Sequence, residues 1–147
     1  MCEPIQIIYD VEALKGTCYV ELKPGKFTGN HWSKDSIYFT DETFSFFSLA
    51  IQKHYKSYNL FAVSEIDKQT WGLIIAELER LKTVLQNNPI INELKKHLIF
   101  LLEDITENNF LKDFNGNIDR LIKVITELQT WVSNKSKEHG YISILGI

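Results

Sequence analysis

The chain has 147 residues, 44% of them apolar and 12% aromatic, enough for one core in a single domain spanning residues 1–147. Its longest apolar runs, such as Leu98 to Leu102, fall far short of the roughly 20 residues a membrane helix needs, so no membrane span is expected. Sixteen Lys and Arg against nineteen Asp and Glu give a net charge of −3; a direct nucleic-acid binder carries a basic face rich in guanidinium donors, so this balance speaks against one and admits a basic protein partner.

The opening MCEPIQIIYD has an acid at Glu3 and no basic run ahead of an apolar core. It does not read as a secretory leader, which points to the cytoplasm and to Cys2 and Cys18 as free thiols. Short β-branched and aromatic runs at Pro4 to Tyr9 and Thr17 to Leu22 predict two strands. Lys23 to Asn30, with Pro24, Gly25 and Gly29, is a loop. Asp35 to Phe39 reads equally as a brief strand or as the apolar lead-in to a helix capped by Thr40 or Asp41. From about Glu42 to Ser57, Phe44, Phe47, Ile51 and Tyr55 fall at steps of three and four, the stripe of a core-facing helix.

The organising stretch is Ser64 to about Asn87. Trp71, Ile74, Ile75, Leu78, Leu81 and Leu85 lie on one helical stripe, with Ser64 as the expected N-cap and Asp67 three places on in an Asp variant of the capping box. Asn87, Asn88 and Pro89 end it. Leu94, Leu98, Leu101, Leu102 and Ile105 form the next stripe, which Asn108 and Asn109 weaken, so one kinked helix or two short ones run to about Asn115 and Gly116. The last helix, about Asn117 to Glu138, carries Ile118, Leu121, Ile122, Ile125, Leu128 and Val132. All six repeat the Trp71 spacing, and two matched stripes predict two long helices packed side by side. Gly140 suits the left-handed residue after a helix end, and YISILGI predicts a terminal strand pairing with one near the N-terminus. The expected fold is mainly α: four to six helices in an antiparallel bundle-like core, with a small peripheral β element from the N- and C-terminal segments.

Catalytic signatures are not apparent. The histidines, His31, His54, His97 and His139, fall on different predicted elements without the i, i+4 spacing of a zinc helix, and no cofactor or metal is expected. Nucleophile elbow, Cys-x-x-Cys, dinucleotide and phosphate-loop patterns are missing, as is the Arg-x-x-x-x-His of compact HEPN-type nucleases after Arg80 or Arg120. Carboxylates are more informative. Glu103, Asp104 and Glu107, then Asp113, and separately Glu65 and Asp67, read as solvated helix ends or as an acidic docking surface for a basic partner. Trp71 belongs to the core and Trp131 to the edge of its stripe. Trp32, in the loop, is the best-placed interface anchor, with loop packing as its plainer role.

The lead IYFTDETFSFF (Ile37 to Phe47), then SEIDKQTWGLIIAEL (Ser64 to Leu78) and the ending SKEHGYISILGI resemble the small immunity proteins of bacterial contact-dependent growth inhibition and other polymorphic toxin systems. The resemblance covers about half the chain. It implies a non-enzymatic, cytoplasmic protein that binds its cognate toxin domain tightly, often a nuclease, and occludes the active site or substrate groove; a monomer is expected. The alternatives are a small helical enzyme using residues such as Glu103, His97 or Cys18, or a helical adaptor that self-associates.

Overall fold

The computed structural model describes residues 4–147; Cys2 and the opening residues through Glu3 lie outside the described residues. Four strands form one antiparallel sheet: β1 Tyr19–Pro24, β2 Ile37–Thr40, β3 Val63–Asp67 and β4 Tyr141–Leu145, in the order β2-β1-β4-β3. Six helices accompany it: α1 Asp41–Ser45, α2 Ser48–His54, α3 Lys68–Gln86, α4 Ile91–Leu94, α5 Asp104–Leu111 and α6 Phe114–His139. The fold is therefore α+β, which corrects the expected mainly α bundle with a peripheral β element. The sheet is one wall of the core.

Register shows how. Val20, Leu22, Ile37, Phe39, Ile66, Ile142 and Ile144 fall on one face, because side chains alternate along a strand and cross-strand partners share a side. All are buried with Phe44, Phe47, Trp71, Ile74 and Leu121 in one cluster. Trp71 on α3 donates its indole N–H to the Ile142 carbonyl at 3.0 Å, tying the helix layer to the sheet. The two long helices do pack together. Lys82 and Gln129 bond across them at 3.0 Å, and Gln129 also reaches Glu79 at 3.1 Å.

Several local expectations change for identifiable reasons. Ser64 is buried in β3 opposite Ile144, and Asp67 is itself the α3 N-cap, accepting from the Thr70 N–H at 2.8 Å. The run Val63 to Asp67 alternates exposed and buried, a period-two pattern that the following helical stripe masks. The aromatic helix from Glu42 breaks at Phe46 and Phe47 into α1 and α2, with Thr40 as the side-chain cap of the first. At Pro4 to Tyr9 no strand forms. Only Ile8 exchanges backbone bonds with Tyr38, both 2.8 Å. The stripe from Leu94 divides into α4 and α5. Leu94 and Leu98 are buried, but Leu102 and Ile105 are exposed. Gly140 ends α6 with φ 72°, and β4 pairs with β1 as the two ends of the chain predicted. Among the described residues no helix is long and apolar enough to cross a membrane.

Candidate protein-docking surface

The proposed docking residues separate into two places. Glu65 and Asp67 lie on β3 beside Tyr141, at the C-terminal end of α6, whereas Asp113 caps its start. With 26 residues in α6, at 1.5 Å each, the two ends stand about 39 Å apart. One interface of ordinary size, about 800 Å² per partner, does not span both.

At the sheet end, the 25–36 loop crosses the face opposite the helices. Glu21 on β1 is 1% exposed, and it accepts from the Trp32 and Ser33 backbone N–H groups at 2.7 and 3.1 Å and from Ser36 Oγ at 2.6 Å. Those bonds hold Trp32 at φ 65°, with its ring 5.9 Å from Tyr38. Burial, reinforced by the Glu21 charge, pushes the Tyr38 hydroxyl up to about 12, so it remains a donor, and it bonds the Ser33 carbonyl. Trp32 stays 37% exposed while its ring packs against Tyr38. Glu65 accepts from the Phe27 N–H at 2.9 Å, and the capping bond from Thr70 holds the Asp67 carboxyl below its ordinary range. Both acids therefore have structural tasks at this end.

The other end is different. Glu103, Asp104 and Glu107 come together around a cavity of about 290 Å³ that they share with Lys95, Leu98 and Phe100. Lys95 Nζ pairs with Glu107 at 2.6 Å, and this bond, with the charges of Asp104 and Glu103 behind it, raises the lysine above its usual value. Three carboxylates against one ammonium leave a local negative charge. Asp113, just beyond α5, bonds the Gly116 N–H at 3.3 Å and pairs with Arg120 at 3.0 Å; it caps a helix at the margin of this region.

Sequence reasoning placed Leu102 and Ile105 on one helical stripe with Leu94 and Leu98; they are 61% and 63% exposed. Leu102 and Glu103 have φ 62° and 45°, two consecutive left-handed residues that cost on the order of 1–3 kcal/mol each. Buried Leu98 and Phe100 on one side and Thr106 and Phe110 on the other pin the turn between them, and Thr106 Oγ1 bonds the Leu101 carbonyl. The signal was present. Five consecutive apolar residues from Leu98 to Leu102 cannot all lie on one helical stripe, and acids follow at once.

The residues of the enzymatic alternative are not assembled. Cys18 is an exposed thiol just before β1, His97 lines a cavity beside α2 and α3, and Glu103 lines the one at α5. Among the described residues no group of three or more His, Cys, Asp or Glu side chains is placed to hold a metal ion. Compared with protein-family models, curated proteins and solved structures, the chain matches none of them.

Proposed function

We propose that this chain is an immunity protein: a cytoplasmic, non-catalytic monomer that binds a cognate bacterial toxin domain and neutralises it by covering its active site or substrate groove. The observation that carries this reading is the α5 surface, where Glu103, Asp104 and Glu107 surround a single lysine beside exposed Leu102 and Ile105. Nucleases hold an anionic substrate in a basic groove, and clustered carboxylates occupy such a groove by the same attraction that draws in phosphates. Apolar side chains beside them supply the desolvated contacts that slow dissociation. The sheet, cemented to α3 and α6, gives a rigid support, which lowers the ordering cost of binding. Trp32, Glu65 and Asp67 lie at the far end of the molecule and are assigned to the scaffold.

The test is co-expression and co-purification with the product of the neighbouring gene, which the reading expects to be the toxin. A one-to-one complex and protection of cells that make the toxin are expected. A purified toxin domain that neither binds this chain nor loses activity in its presence overturns the reading.

A further inference from the structure

A cavity of about 370 Å³ opens between α2, α3 and the turn after α4, within the range of small-molecule sites. Lys53 comes from α2, Glu77 and Arg80 from one face of α3, and Lys96 and His97 from the turn. Leu49, Leu81 and Val84 supply an aliphatic floor. Glu77, only 11% exposed, accepts a hydrogen bond from Arg80 at 2.6 Å and forms an ion pair with Lys53 at 3.4 Å, with His54 Nε2 at 3.1 Å. The Arg80 bond, opposed by burial and helped by His54 and the Arg80 and Lys53 charges, holds the Glu77 carboxyl down at about 2. Lys96 and His97 have no ion-pair partner among the described residues. Three permanent cations therefore face one carboxylate, and two positive charges stand uncompensated on a chain whose net charge is −3.

We propose that this cavity binds a phosphate monoester with a compact apolar body. A phosphate dianion matches the two free charges, and its terminal oxygens suit the forked guanidinium of Arg80 and the Lys53 and Lys96 ammonium groups. His97 adds a ring N–H in either protonation state. The ester's hydrocarbon rests on Leu49, Leu81 and Val84. This site is separate from the acidic surface: in the turn between them Lys95 pairs with Glu107, whereas Lys96 and His97 line this cavity.

Calorimetric titration of the whole chain with phenyl phosphate, inorganic phosphate and benzoate tests it, at constant ionic strength and a pH of about 8, above the second phosphate pKa of about 6. Phenyl phosphate should saturate one site and bind about tenfold tighter than benzoate, which has one charge fewer, and tighter than inorganic phosphate, which lacks the ring. Lys96→Ala, at an exposed position that leaves the melting temperature unchanged, should weaken phenyl phosphate by about tenfold, the worth of one hydrogen bond between charged groups. Arg80→Lys should weaken it by removing the fork. No saturation, equal affinity for benzoate or for inorganic phosphate, or an unaltered Lys96→Ala titration overturns the assignment. So does a poly-glutamate peptide that displaces phenyl phosphate and binds more tightly, because the site would then be a protein contact.

Discussion

Glu21 has no ion-pair partner among the described residues, and the three hydrogen bonds it accepts all come from the loop that carries Trp32. A bond to a charged group contributes about 1.5–3 kcal/mol, and a buried donor left unpaired has its own cost. Glu21→Ala should therefore destabilise the protein by about 3 kcal/mol or more in denaturant unfolding. Because Trp32 is released with the loop, its fluorescence should shift to the red and become more accessible to quencher than in the parent; Glu21→Gln, which keeps the shape, should give a smaller change in both. Glu77 gives a pH prediction. Its folded value of about 2 lies below the ordinary 4.5, so the stability it contributes is fully present above the ordinary value and is lost as pH falls toward 2. Melting temperatures measured across acid pH should fall less steeply in Glu77→Gln than in the parent, the two curves drawing together at the acid end. Parallel curves would show that the Arg80 and Lys53 contacts to Glu77 are not formed in solution.

At the scale of elements, α6 and the turn before α5 show what backbone conformation does. Gly140 sits at φ 72° with nothing near the position a Cβ would take, so Gly140→Ala should cost about 1 kcal/mol from backbone conformation alone. Gly146 is the opposite case: a Cβ there runs into the Leu60 and Ala62 carbonyls, which accept the last backbone bonds of the chain. Its alanine variant should be the more damaging of the two, read by thermal unfolding. The Leu102 turn separates fold from function. Leu102→Gly removes left-handed strain and an exposed side chain, so stability should hold or rise by up to about 1 kcal/mol. Affinity for the proposed toxin partner should nevertheless fall, since an exposed apolar contact is gone. A variant that is less stable and binds as well as the parent would place Leu102 in the structural framework instead.

Across the whole molecule, the charges are segregated. Carboxylates collect at α5, cations collect between α2 and α3, and the acids at the Trp32 end are used within the sheet and its loop. For the proposed toxin complex this arrangement predicts divided kinetics. Neutralising Glu103 and Asp104 together, as Gln and Asn, should lower the association rate by up to about tenfold at low salt, with the difference closing as the salt is raised. Ile105→Ala should act mainly on dissociation, as lost packing does. Stopped-flow binding over a salt series distinguishes the two. Charge neutralisation without effect on association would move the interface away from α5.

The apolar ending YISILGI announced a terminal strand, but which N-terminal strand it pairs with was decided by the fold. The long helices, the Thr40 cap and the Gly140 stop were legible because each is written in residues close together or in a repeat along one element. Trp71 was legible as core for the same reason. β3 was not, since Ser64 and Ile66 become a buried strand face only when Ile144 and Ile142 arrive from the far end of the chain. Likewise, no local pattern says that Glu21 will be enclosed by its own downstream loop, or that Lys53, Arg80 and Lys96 will share one cavity. The sequence by itself determined where the two long helices, α3 and α6, run and which stripe each one buries, because those depend on contacts a few residues away. Only the tertiary structure decided that the sheet forms a wall of the core, which acids remain available to a partner and where the apolar side chains beside them emerge, because those depend on pairings between distant segments.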